Sequence, residues 1–200
     1  MIPDEEGIAA VRAARAVTEA ETEGRELDVP LPASFSKRRS GAFVTVNEYP
    51  SRMLRGCIGY PAPPFDMATA LTLAARGVCS DPRFPRLTKR EAERCAFEVS
   101  LLTVPERIEY SDPEDLKSKI RLGTDGIIVK RYMGSTLVNS ALFLPQVPGE
   151  QGWDMDEYIG NLCRKAGMPY DEWKKNGLEF EKFQAEVFGE ESPGGEVRRM

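Results

Sequence analysis

A guanidinium, a thiol and two glycines fall within seven residues, Leu54-Arg55-Gly56-Cys57-Ile58-Gly59-Tyr60. The segment reads as a strand, although glycine inside a strand weakens it and marks a bulge, a bend or a close backbone approach. Strand alternation predicts Arg55, Cys57 and Gly59 on one face, with Leu54, Gly56 and Ile58 on the other. A cation beside a thiol favours the thiolate, the form that acts as a nucleophile. On this reading Arg55 activates Cys57 or binds an anionic substrate, and the glycines leave backbone N–H groups open to a ligand. The competing reading makes Cys57 a small buried residue at a tight strand crossing. It pairs Arg55 with a carboxylate, Glu98 being the candidate.

Three further groups carry possible chemistry. The loop Asp81-Pro82-Arg83-Phe84-Pro85 is stiff, and stiff loops place polar groups at low entropic cost. It reads as part of a site, or as a connector with Phe84 plugged into the core. Glu98 and Ser100 alternate with Phe97, Val99 and Leu101 on one strand, and a desolvated Glu98 would serve as a general acid or base. Gln146 and Trp153 flank a proline- and glycine-rich bend that lines a pocket or closes the core.

The chain contains no histidine. That removes Ser-His-Asp and Cys-His mechanisms and any histidine proton transfer. Its four cysteines, Cys57, Cys79, Cys95 and Cys163, lack the close pairs of a zinc site, and the last three read as filler. No phosphate loop, dinucleotide fingerprint, nucleophile elbow or metalloprotease helix is present. Chemistry therefore falls to cysteine, carboxylate, lysine, arginine, tyrosine or a bound cofactor of unspecified kind. A formal net charge of −5 argues against a nucleic-acid coat, which needs a basic stripe. The clusters Lys37-Arg38-Arg39 and Arg83 to Arg94 read as solvated surface. No apolar run approaches the ~20 residues that span a bilayer, and the acidic N-terminus lacks a secretory pattern. The expected location is cytoplasmic.

The elements that must position these groups follow from periodicity and turn chemistry. Ile8, Val11, Ala14 and Val17 predict an amphipathic helix from about Asp4 to Gly24. Ala42 to Val46 alternates as a strand and should pair antiparallel with the Leu54–Tyr60 strand, which Pro61-Ala62-Pro63-Pro64 stops. Asp66 is a helix cap, Thr88 to Glu91 and Ser111 to Glu114 are capping-box candidates, and Asp154 to Glu157 opens another helix. Strands are expected at Ala96–Leu102, at 126–131, at 136–144 and, as one final strand, from Leu178 to Phe188. Residues 189–200 read as a disordered tail. Neighbouring strands with irregularly inserted helices favour an α+β fold with a mainly antiparallel sheet.

Leu54-Arg55-Gly56-Cys57-Ile58-Gly59, Asp81-Pro82-Arg83-Phe84-Pro85, Phe97-Glu98-Val99-Ser100 and Leu142-Phe143-Leu144-Pro145-Gln146-Val147 with Gly152-Trp153 together resemble the AMMECR domain family. The likeness runs from about Gly41 to Phe188. It implies a single domain over 1–188 with two unequal, interleaved subdomains sharing a cleft onto which the motif faces. It also implies partners of the Memo-like and radical S-adenosylmethionine kinds and a shared modification pathway. Carried onto this chain, the resemblance singles out Arg55, Cys57, Asp81, Arg83, Glu98 and Gln146. Two functional expectations result. One is an enzyme or enzyme subunit using Cys57, Arg55 and Glu98. The other is a binding module presenting Gly56, Gly59, Asp81, Arg83, Phe84, Ser100 and Gln146 to a partner.

Overall fold

The computed structural model describes residues 2–61 and 65–200, so part of the proline run expected to stop the second strand lies outside the described residues. Helix α1 spans Asp4–Thr22 and carries Asp4, Glu5 and Glu6 in its first turn, where negative charge complements the helix dipole. Its buried face is broad, taking in Gly7, Ala10, Val11, Ala13, Ala14, Val17, Thr18 and Ala20, while Ile8 of the expected stripe is exposed. Strands β1 (Ala42–Glu48) and β2 (Leu54–Tyr60) pair antiparallel, as expected. In β1, alternation buries Ala42, Val44 and Val46 and leaves Phe43 and Thr45 half-buried on the opposite face. The Asp66 carboxylate accepts from the Thr69 N–H and starts α2 (Met67–Gly77). Thr88 and Glu91 form the expected capping box of α3 (Lys89–Ala92), which leads into β3 (Cys95–Leu102).

The chain continues through β4 (Glu106–Ile108) to α4 (Pro113–Ser118). Here Asp112, not Ser111, is the cap, because Pro113 fixes the first helical position directly after it. Strands β5 (Gly126–Met133) and β6 (Thr136–Phe143) form a hairpin longer than expected, turning only at Gly134-Ser135, with Gly134 at φ 62°. The bend after Pro145 contains a short helix, α5 (Val147–Gln151). Helix α6 (Met155–Lys165) has the Asp154–Glu157 capping box, and Gly167, at φ 76°, ends the helical path while the Met168 N–H returns to the Cys163 carbonyl.

The expected single final strand is two. Strand β7 (Leu178–Phe183) pairs with β4 and β5, and β8 (Ala185–Glu190) joins the other sheet. The break falls at Gln184, whose side-chain amide donates to the buried Asp125 at 2.9 Å. The expected disordered tail is also corrected. Residues Val197–Arg199 form β9, paired antiparallel with β8, and Arg199 is tied to Asp4, Glu186 and the Ile2 carbonyl.

The fold is thus α+β, with sheets ordered β2-β1-β3-β8-β9 and β4-β7-β5-β6. The chain divides into two units, one of Met1–Val104 with Glu186–Met200 and one of Pro105–Ala185. Each has its own apolar core. Val11, Val44, Leu71, Phe97 and Phe188 belong to the first, and Ile127, Tyr158, Leu162, Trp173 and Phe180 to the second. Among the described residues no helix is long and apolar enough to cross a membrane.

Candidate functional site

Strand β2 departs from simple alternation at Arg55. Val46 faces Gly56 and Asn47 faces Leu54, so Arg55 is the extra residue of a β-bulge. A bulge re-aims the side chain it carries. The Arg55 side chain is buried, and its Nε and Nη2 donate to Glu91 Oε1 at 3.2 and 3.1 Å. Nη2 also donates to the Pro85 carbonyl at 3.0 Å. Arg55 therefore pairs with Glu91 rather than Glu98, and it is not among the charges that act on the Cys57 thiol.

The cation near Cys57 is Arg83. Its Nη2 donates to the Cys57 carbonyl at 3.1 Å, and the Cys57 N–H donates to Asp81 Oδ2 at 2.8 Å. Asp81 is 3% exposed and also accepts from the Arg83 N–H, Nε and Nη2 at 3.0, 3.0 and 2.7 Å. The Arg83 guanidinium, together with the Cys57 and Arg83 N–H groups, holds the Asp81 carboxyl well below the usual range. Strand β2 is an edge strand, and an edge presents peptide groups without strand partners. The stiff loop supplies those partners to both peptide groups of Cys57. Phe84 is half-buried rather than plugged into the core, with its ring 5.9 Å from the Arg55 guanidinium and 5.7 Å from that of Arg83.

The thiol is half-buried, and the Thr45 hydroxyl donates to its sulfur at 3.2 Å. Burial pushes the Cys57 thiol above its ordinary pKa, outweighing both that hydrogen bond and the Arg83 charge. The expected lowering by a neighbouring arginine is thus reversed, because removing a thiolate from water costs more than the screened cation returns.

Thr45 pairs in register with Cys57 on one side and Glu98 on the other. The three residues form a row across β2, β1 and β3. At the usual strand spacing, Cys57 and Glu98 stand roughly 10 Å apart. The Glu98 side chain is half-buried and has no hydrogen-bond or ion-pair partner among the described residues, and burial pushes its carboxyl up against the opposing charge of Arg52. Ser100 lies one step along the same face of β3, is 8% exposed, and pairs in register with Phe43.

The glycines mark close approach, but by the protein's own side chains. A Cβ at Gly59 would lie 2.1 Å from the Phe43 ring, and one at Gly56 would lie 3.1 Å from Val78. Gln146 is exposed and precedes α5 in the second unit, whereas the other proposed positions belong to the first. Trp153 packs against Phe143 at 5.5 Å within that second unit. Sequence reasoning missed Thr45, whose signal was present: a polar residue alternating with buried valines opposite the cysteine strand.

A family profile described as AMMECR1 matches residues 11–188. Protein MJ0810 of Methanocaldococcus jannaschii is 43% identical over 197 residues, covering 96% of this chain and 94% of its own length. Protein PH0010 of Pyrococcus horikoshii is 42% identical over 206 residues, covering 99% and 96%. The crystal structure of the uncharacterized protein PH0010 matches with a TM-score of 0.84 at 41% identity, covering 100% of this chain and 98% of that one.

Proposed function

For this chain, which belongs to the AMMECR1 family, we propose that the Cys57–Thr45–Glu98 row is the working face of an enzyme or enzyme subunit in a modification pathway. Cys57 is the nucleophile or acceptor and Glu98 the proton carrier. The observation that carries this reading is the half-buried Glu98 carboxyl, without a partner among the described residues, in the same row as a thiol. Burial raises the Glu98 carboxyl above its ordinary value, the direction that favours proton transfer by a carboxyl. When Cys57 adds to an electrophilic, double-bonded carbon, the carbon's π electron pair moves to its partner atom and the S–H bond breaks, the proton passing to the ionised Glu98 through the substrate or a bridging water, given the ~10 Å between them. The Thr45 hydroxyl, already hydrogen-bonded to the sulfur, stabilises the negative charge that grows there. Asp81 carries no proton in this scheme. Arg83 keeps it ionised, and it positions the Cys57 backbone. A cytoplasmic setting keeps the thiol reduced.

The test replaces the chromosomal gene with Cys57→Ser or Glu98→Gln. Both variants should fold with melting temperatures within a few degrees of wild type and lose the same modified peptides that a gene deletion loses. If the deletion removes those modifications and both variants retain them, the row is not catalytic.

A second reading as a binding module is favoured by the Arg83–Phe84 loop, in which an exposed guanidinium and a half-buried ring are rigidly pinned through Asp81. On that reading Arg83→Ala abolishes capture of a Memo-like or radical S-adenosylmethionine protein, while Cys57→Ser leaves capture intact.

A further inference from the structure

Glu48, Tyr49, Arg55, Glu91, Arg94 and Cys95 line a pocket of about 200 Å³ at the end of the first unit's sheet where β1 turns into β2. None of Cys57, Thr45 or Glu98 lines it, so the pocket stands independently of the row described above. Its charged groups divide into two sets. Glu91 is fully engaged, with Oε1 accepting from Arg55 and Oε2 from the Thr88 N–H and hydroxyl. Arg55 is held by Glu91 and the Pro85 carbonyl, yet a guanidinium has five N–H donors. Its Nη1 has no protein partner among the described residues, although the side chain is only 9% exposed. Arg94 and Glu48 are exposed, and neither side chain has a hydrogen-bond or ion-pair partner among the described residues.

We infer that this pocket binds a small zwitterion of the α-amino-acid type, its carboxylate received by Arg55 Nη1 and Arg94 and its ammonium by Glu48. Guanidinium groups match the planar carboxylate, accepting it through paired N–H donors. An anion without an ammonium would sit beside the free Glu48 carboxylate and the bound Glu91 carboxylate, and like charges at close range repel. The pocket's volume suits a small ligand, since pockets for drug-sized molecules run to roughly 300–1,000 Å³. The exposed Tyr49 ring offers the apolar wall against which the ligand's side chain rests.

The test is a titration of the whole chain with single L-amino acids, with acetate, methylamine and inorganic phosphate as separate arms. Amide chemical shifts of Tyr49, Arg94 and Cys95 are the readout. At least one amino acid should saturate in the millimolar range or tighter, with acetate, methylamine and phosphate each at least tenfold weaker. Arg94→Gln and Glu48→Gln remove exposed, unpaired groups and so keep the fold, which a melting curve verifies. Each should weaken amino-acid binding about tenfold, or roughly 1.4 kcal/mol. The inference is overturned if no amino acid saturates, if phosphate or acetate binds as well as the amino acid, or if Glu48→Gln binds like wild type.

Discussion

Glu190→Ala is expected to destabilise the first unit by about 3–5 kcal/mol, the range for breaking a buried ion pair from one side. The Glu190 side chain is fully buried, and its two oxygens accept from Arg15 Nε at 2.7 Å and Nη2 at 2.5 Å. The same carboxylate accepts from the Phe97 N–H of β3 at 3.0 Å and the Gly194 N–H at 3.3 Å. One side chain therefore ties β8 to α1, to β3 and to the turn that leads into β9. Removing it takes away the fully buried carboxylate that pairs with the Arg15 guanidinium, which is 11% exposed and lies over the Phe97 ring. Arg15 keeps its bonds to the Ala92 and Cys95 carbonyls and to Glu19, so the chain still folds, but less stably. Urea unfolding followed by far-UV circular dichroism measures the loss. With a slope of about 1–3 kcal/mol per molar urea, the midpoint should fall by at least ~1 M. A midpoint within a few tenths of wild type would show that the pair does not hold this unit together.

Asp81→Asn is expected to cost about 1.5–3 kcal/mol at pH 7, the range for a hydrogen bond to a charged group. The sign of its pH dependence is fixed by the direction of the shift. Arg83 lowers the folded pKa of Asp81, so the stabilisation is complete above the unfolded value of ~3.9 and is lost as pH falls toward the folded one. The gap between wild type and Asp81→Asn should therefore be widest near neutrality and narrow below about pH 4. Paired denaturation curves at pH 7 and in acid check this, and a gap that widens in acid would contradict it. The variant should also free the Cys57 peptide group and speed alkylation of its thiol.

What could be read from the sequence was local. Asp66, the Thr88–Glu91 box, the helix opened by Asp154 to Glu157 and the β1–β2 pairing depend on residues a few positions apart, and each stands where expected. What could not be read depends on distant partners. The Arg55 bulge is stabilised by Glu91 and Pro85 from another part of the chain, and strand alternation carries no sign of it. From Leu178 to Phe188 apolar residues recur throughout, so the segment reads as one strand, and the passage between two sheets at Gln184 shows only as a change of phase, Leu178 and Phe180 alternating on one set of positions and Phe183, Ala185 and Val187 on the other. The Glu-Glu-Ser-Pro-Gly-Gly run has the composition of a disordered tail, but its first residue ends β8 and the rest is the loop before β9. Its anchor, Glu190 bound to Arg15, joins residues 175 positions apart. For the candidate site, Cys57, Asp81, Arg83 and Glu98 were legible as residues worth naming. The arginine's identity as the thiol's neighbour was not, because that choice is made by the bulge.

The most direct measurement is the rate of Cys57 alkylation by iodoacetamide from pH 6 to pH 10, in wild type and in Glu98→Gln. The other three cysteines are buried, and peptide mapping assigns the label. The predicted wild-type midpoint lies above the ordinary thiol value of ~8.5, because burial outweighs the Thr45 hydrogen bond. Glu98→Gln removes a negative charge roughly 10 Å away, so its midpoint should fall by several tenths of a unit to about one unit. No labelling at any pH, a wild-type midpoint at or below ~8.5, or coincident profiles for the two proteins would contradict a shared proton site at Cys57 and Glu98.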